Sequence, residues 1–220
     1  MDTSAARQAI FSRIRKAQQR SAEPTQGELD AVQEYLRRHP SGPRPAIGLD
    51  MIQHFKEQAL RMSDTVAEIG SLNEVPAAIA QYLDQLGMAK KAIAWNTLSE
   101  LGWSGAGIAV EFRVPKNEDL VGITGAFCAV AETGSLLLLS SPDTFASASL
   151  LPETHIAILP ASRIVAAMED AFALVRSEHG ELPRATNFIS GPSRTGDIEQ
   201  TIVLGAHGPY RVHVLIVRDA

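Results

Sequence analysis

Three polar clusters interrupt apolar sequence and hold the residues able to do chemistry: Glu132-Thr133-Gly134-Ser135, Gly191-Pro192-Ser193-Arg194-Thr195-Gly196-Asp197-Ile198-Glu199, and Gly205-Ala206-His207-Gly208-Pro209. Each sits at the end of an expected strand, where open α/β sheets place their ligand sites. Glu132 directly follows Phe127-Cys128-Ala129-Val130-Ala131. A carboxylate there is either raised in pKa by burial or given a partner, and in either state it can act as acid, base, nucleophile or acceptor. The same four residues also read as a plain hairpin turn, with Gly134 supplying a positive φ. In the second cluster, free backbone N–H groups ahead of a helical-looking stretch from Asp197 to Leu204 suit an anion. Arg194 offers a forked donor to a carboxylate or phosphate, and Ser193 and Thr195 either cap the turn or bind the ligand. Asp197 and Glu199 in the first turn compete with a phosphate for those N–H groups. There is no Gly-Lys-Ser/Thr of a Walker loop, and two carboxylates two residues apart do not define a magnesium site.

His207, flanked by glycines, reads equally as functional or structural. His213 alternates with valines in Arg211-Val212-His213-Val214 and reads as a hydrogen-bonded structural histidine. The six histidines contain no His-Glu-x-x-His, and Cys128 lies in an apolar run with no neighbouring histidine, so a catalytic thiol is not expected. No metal site is expected.

These clusters must be held by a regular scaffold. Ala6, Ile10, Ile14 and Ala17, then Leu29, Val32 and Leu36, step at helical spacing and predict a helical arm. Pro40, Pro43 and Pro45 end it in a hinge, which sets domains of residues 1–45 and 46–220. A helix over about 51–69 is predicted by the stripe Ile52, Phe55, Ala59, Met62, Val66 and Ile69. Asn73 caps a second helix that Gly87 stops. From Lys90 onward short apolar runs predict strands over 92–95, 107–112, 120–130, 135–139, 156–159, 187–189 and 212–217, with a helix over 162–178. Near-continuous apolar strands are covered on both faces, and strand, helix, strand is a crossover unit. The expected fold is therefore a three-layer α/β/α open sheet, with an antiparallel hairpin as the alternative around Thr133.

The chain has 220 residues, 45% of them hydrophobic and 20% charged, within the range of ordinary globular proteins and outside that of disordered or collagen-like chains. No apolar run is long enough for a membrane span and the start lacks the core of a secretory signal, so a cytoplasmic protein is expected. A single cysteine can neither close an internal disulfide nor hold an iron–sulfur cluster. Residues 1–45 carry eight basic side chains against five acidic, and the remainder twelve against twenty. An acidic body repels a polyanion, so nucleic acid is not an expected partner.

The block Gly191 to Pro209, taken with Val121 to Leu139 before it and the Leu151 to Pro160 strand between, resembles the lactate-utilisation protein C family, whose members carry a LUD domain. Two small departures stand out: Ser135 where the family has threonine, and Gly196 where it has alanine, which loosens a helix start by up to about 1 kcal/mol. The resemblance implies a NagB/RpiA/CoA-transferase-like fold, with no cofactor in this chain. It also implies work alongside iron–sulfur partner proteins that oxidise L-lactate to pyruvate. It carries Glu132, Thr133, Gly134, Gly191, Ser193, Arg194, Thr195, Asp197, Glu199, His207 and Gly208 over as a ligand site for a small carboxylate or phosphate. Three roles stay open: an accessory subunit, an enzyme in its own right with Glu132 as its catalytic carboxylate, or a regulatory or scaffold protein whose loops are purely structural.

Overall fold

The computed structural model describes residues 3–21, 23–48, 50–196 and 203–220. Residues up to Arg44 form one compact unit and those from Pro45 another. The first holds α1 (Ser4–Ala17) and α2 (Gln26–Arg38). A reciprocal cap starts α2: Thr25 Oγ1 accepts from the Glu28 N–H at 3.3 Å while Glu28 accepts from the Thr25 N–H at 2.8 Å. The predicted apolar stripes are present, but Ile10, Ile14, Leu29, Val32 and Leu36 all remain exposed.

The second unit runs α3 (Met51–Arg61), β1 (Thr65–Ile69), α4 (Val75–Gln85), β2 (Lys91–Ala94), β3 (Ala109–Phe112), β4 (Val121–Gly125), β5 (Cys128–Val130), β6 (Ser135–Leu139), β7 (Thr154–Pro160), β8 (Ile164–Val165), α5 (Met168–His179), β9 (Thr186–Ile189), β10 (Arg194–Thr195), β11 (Val203–Leu204) and β12 (Arg211–Val217). Six strands form one parallel sheet in the order β1-β12-β7-β4-β2-β3. From β2 the chain steps one way to β3. It then crosses back to β4 and steps the other way through β7 and β12, so the direction of winding reverses between β2 and β4.

Side-chain alternation along these strands assigns the layers. Ala92, Ala94, Val121, Ile123, Ile156 and Leu215 face α4, where Val75, Ile79 and Leu83 cover them. Ile93, Ala157, Leu159, Val212, Val214 and Ile216 face the other way, against Phe55 and Ala59 of α3 and against Ala129, Ala131, Leu136 and Leu138. Those last four belong to β5 and β6 or their turn, in a second, mixed sheet of order β8-β5-β6-β9. Its outer face, Cys128, Val130 and Leu137, packs on Ala171 and Val175 of α5. The architecture is mixed α/β, with a parallel central sheet flanked by helices, one flank being shared between α3 and the small sheet.

Several elements differ from expectation. The stripe read as one helix over 51–69 is α3 followed by β1. Ser63, at φ 75°, and the Asp64 N–H bond to the Ala59 carbonyl end the helix, and Thr65-Val66-Ala67-Glu68-Ile69 has the β-branched content of a strand. The apolar run 120–130 divides at Ala126-Phe127 between the two sheets. The strand at Thr186–Ile189 pairs antiparallel with β6 and not with β7, and the helix expected over 162–178 begins only at Met168, after β8, so that α5 joins β8 and β9, the two edges of the small sheet, and is not a crossover within the parallel sheet. Val203 and Leu204, expected in a helix, pair antiparallel with Thr195 and Arg194; a short apolar run cannot distinguish the two states by spacing. The hairpin alternative at Thr133 is present, with Gly134 at φ 68° between the antiparallel β5 and β6.

Two stability predictions follow from this packing. A Cβ on Gly134 would lie 2.4 Å from the Ala59 nitrogen, at a φ that already disfavours a side chain. Gly134→Ala should cost about 3 kcal/mol in chemical denaturation, whereas Gly105→Ala, with open space at its Cβ, should be near neutral. Burial holds His155 and His213 down, each to about 4. Below about pH 6.5 the unfolded chain takes up these protons first, so stability is whole above that pH and falls as pH drops toward 4, by on the order of 3 kcal/mol per histidine. His155→Gln should flatten that slope in urea titrations run from pH 7 to pH 4.5.

Candidate functional site

The site is built on the last turn of α3 and the short link to β1. Gly191, at φ 81°, comes so close that a Cβ would lie 2.3 Å from the Met62 carbonyl oxygen. Arg194 Nη2 donates to that same carbonyl at 2.8 Å and also to Ser63 Oγ. Gly134 abuts the backbone of Gln58 and Ala59 one turn earlier. Hydroxyls link the two loops: Thr133 Oγ1 and Ser135 Oγ are 2.8 Å apart, and Ser135 Oγ and Ser190 Oγ 2.5 Å apart. The third cluster joins through Ser193. Its N–H donates to the Pro209 carbonyl and its carbonyl accepts from the Gly205 N–H, both at 2.9 Å. The His207 N–H reaches Ser193 Oγ at 3.4 Å, and Gly208 packs against the Ser193 Cβ.

The three clusters therefore meet at one junction, at the amino ends of β1, β7 and β12: Asp64 precedes β1, the Tyr210 N–H donates to the Glu153 carbonyl ahead of β7, and Tyr210 itself precedes β12. Arg194 and His207 are exposed, Thr195 is buried and Glu132 half-buried. No hydrogen bond or ion pair connects the side chains of Glu132, Arg194 and His207, and the Glu132 carboxylate has no such partner among the described residues. Asp197 and Glu199 lie outside the described residues.

One functional group was absent from the sequence reading. Asp64 is 4% exposed, its Oδ1 is sealed without a hydrogen-bond partner, and burial pushes its carboxyl up to about 7 against the opposing pull of the Arg194 guanidinium. An acid that titrates near neutrality beside an exposed guanidinium can hold or release a proton while the guanidinium holds an anion. Its signal in the sequence was hidden because Asp64 fell inside the stripe taken as one helix. His213 has the structural role expected of it: its Nδ1 lies 2.8 Å from Thr65 Oγ1 and its ring stacks on Tyr82 at 3.9 Å.

The donors for an iron–sulfur cluster do not fit this chain. Cys128, on β5, is fully buried against α5, and burial pushes its thiol up to about 11, where it offers no thiolate at neutral pH. Among the described residues no three His, Cys, Asp or Glu side chains gather as a metal site, and no helix is long and apolar enough to cross a membrane.

An open, parallel-centred α/β unit with a mixed side sheet and a polar junction at one rim defines the class. Residues 4–217 match the family model described as LUD domain, and the chain belongs to that family. It is 34% identical to lactate utilization protein C of Shouchella clausii over 185 residues, 77% of this chain and 80% of that one. It is 42% identical to lactate utilization protein C of Bacillus subtilis over 102 residues, 45% of this chain and 42% of that protein. The fold is similar to the crystal structure of a duf162 family protein from Deinococcus radiodurans, with a TM-score of 0.60 and 23% identity, covering 79% of this chain and 99% of that one.

The raised Asp64 pKa makes a testable statement about stability. The unfolded chain ionises near 3.8 and the folded chain near 7, so folding stability falls as pH rises between those values and is level above. Asp64→Asn should remove that fall. Its stability gain should be largest at pH 8, on the order of 2–4 kcal/mol, and absent at pH 4, read from denaturation midpoints.

Proposed function

We propose that the chain serves in lactate utilisation as an accessory subunit. It binds a small carboxylate at the Arg194 junction or docks on iron–sulfur partner proteins, and those partners oxidise L-lactate to pyruvate by taking up its electrons. The observation that carries the reading is the exposed Arg194 guanidinium. Among the described residues only its Nη2 is engaged, on the Met62 carbonyl and Ser63, and no described partner takes the remaining N–H groups of the fork, the donors a carboxylate would use. The nearby Asp64 carboxyl, poised near neutrality, is placed to sense the charge of whatever Arg194 holds. The names of the relatives, lactate utilization protein C, support the same pathway. The single thiol, Cys128, is buried and pushed up to about 11, which agrees with giving the electron transfer to partners in this reading.

A second reading is favoured by Glu132, whose half-buried carboxylate, free of partners among the described residues, sits on the hairpin turn beside the hydroxyl row Thr133, Ser135 and Ser190. In that reading the chain is an enzyme of its own and Glu132 is the group that attacks or moves a proton.

Purified chain alone should not oxidise L-lactate, and a mixture with its iron–sulfur partners should. Arg194→Ala should lower the activity of the mixture by about tenfold or more, the cost of one charge-assisted carboxylate contact. Lactate oxidation by the isolated chain, or full activity of the partners without it, would overturn the accessory role. Loss of turnover in Glu132→Gln with an intact fold would establish the second reading.

A further inference from the structure

The carboxyl rim of the parallel sheet carries a second, separate feature. Where winding reverses between β2 and β4, two consecutive chain segments leave the sheet in opposite directions, and a crevice opens between them; in open α/β sheets this is where ligands bind. Here it is a cleft of about 540 Å³, walled by Trp95, which follows β2, and Phe127, which follows β4, with Gly125 and Ala126 as its floor and the 139–144 loop and the 179–183 segment at its sides. That volume lies within the range that takes a molecule of ring-and-substituent size, and a three-carbon acid would leave most of it empty.

The lining chemistry narrows the occupant. Two aromatic side chains bound the cleft, a half-buried Phe127 and a Trp95 that shows 4% of its surface, and a Cβ built on Gly125 would meet only the Trp95 ring, at 3.8 Å. Trp95 is itself fixed, its Nε1–H donating to the Phe145 carbonyl at 2.9 Å. Ser140 Oγ accepts from the Ala185 N–H, which leaves its O–H available as a donor, while Ser141 Oγ accepts from the Asp143 N–H and shares a hydrogen bond with Thr144 Oγ1, whose single O–H also reaches the Leu139 carbonyl at 2.8 Å. No lysine or arginine lines the cleft among the described residues. The arginine against its wall, Arg163, stacks on Phe127 with its guanidinium 4.6 Å from the ring centre and is engaged by the Phe127 carbonyl and by Glu178. His179 and Glu181 border the cleft, and the glutamate disfavours an anion.

We infer that this cleft binds an uncharged, planar ring bearing hydrogen-bond acceptors, packed against Phe127 and the small exposed part of Trp95 and held at its edge by the Ser140 hydroxyl. Two sources share that chemistry, a neutral nucleoside and a quinone. The site is distinct from the Arg194 junction, which lies at the opposite ends of the strands, and it does not depend on the lactate reading.

The two tryptophan indole N–H signals in a nitrogen-resolved NMR spectrum of the full chain provide an internal control, because Trp95 lines the cleft while Trp103 packs against α4 with its Nε1–H on the Leu98 carbonyl. Adenosine and 1,4-naphthoquinone are the probes, with AMP and L-lactate as their anionic counterparts. A saturable shift of the Trp95 signal with at least one neutral ring, leaving Trp103 unmoved, is expected, and which ring binds identifies the source. Gly125→Leu, which fills the floor, should weaken binding by about tenfold or more, and Gly125→Ala should stay within about threefold. If Gly125→Leu does not fold, Thr97→Trp closes the cleft from the side of the turn after β2 and should give the same loss. Failure of both neutral rings to move Trp95, tighter binding of AMP or lactate than of the neutral rings, or unchanged affinity in the filled variants would overturn the inference.

Discussion

Close backbone contact at the end of α3 is the constraint on which the polar junction depends. Two loops from the mixed sheet come down on this one turn, and each does so through a glycine whose Cβ would collide with backbone: Gly134 on Ala59 and Gly191 on Met62. Both glycines also hold positive φ, so the requirement is doubled, steric and conformational. With those contacts made, the Met62 carbonyl stands within reach of the Arg194 guanidinium, and Asp64 one step further on is shut away from water. A side chain at either glycine would lift its loop and with it the geometry that sets both the cation and the acid.

The same approach explains how the two sheets cooperate. β5 and β6 present alternate side chains to opposite layers, Leu136 and Leu138 toward α3 and the parallel sheet, Leu137 and Cys128 toward α5. Register is pinned because a slip by one residue would exchange those faces and expose leucines to the wrong layer. The pairing of Leu136 with Ile189 brings Ser135 beside Ser190, and the row of hydroxyls that links the hairpin to the Gly191 loop follows from that register.

Most of the scaffold was legible in the sequence because apolar runs at strand length and stripes at helical spacing are direct images of burial. The strands around Ile93, Leu137, Ile158 and Leu215, and the helix carrying Phe55 and Ala59, were visible in this way. What was hidden arose where one periodicity imitates another or where tertiary pairing decides. Val66 and Ile69 continue the stripe of α3 in number but lie on β1, paired to Val214 and Val217. Val203 and Leu204 are strand because Thr195 and Arg194 are there to pair with them, which no local window reveals. The three polar clusters were recognisable as interruptions of apolar sequence. Asp64 was not, since its meaning comes from burial beside an arginine 130 positions later in the chain, and sequence distance carries no trace of it.

Parallel strands have two unlike ends, and in this fold each end presents its own environment. At the amino ends of β1, β7 and β12, loops bring an exposed cation beside a buried acid, an environment suited to a small charged molecule. At the carboxyl ends of β2 and β4, reversal of winding opens a larger cleft walled by Trp95 and Phe127 and without a lining cation among the described residues, an environment that suits a neutral ring. A charged guest loses hydration on entering the second without gaining a partner, and a flat apolar guest finds no matching wall among the polar loops of the first. The two proposed sites would on these grounds select against each other's ligands. Between them lie Val212, Val214 and Ile216 of β12 and Ala157 and Leu159 of β7, fully or almost fully buried and close-packed. Such a layer resists continuous deformation, so occupancy at one rim reaches the other only by a discrete shift of whole strands or of α3.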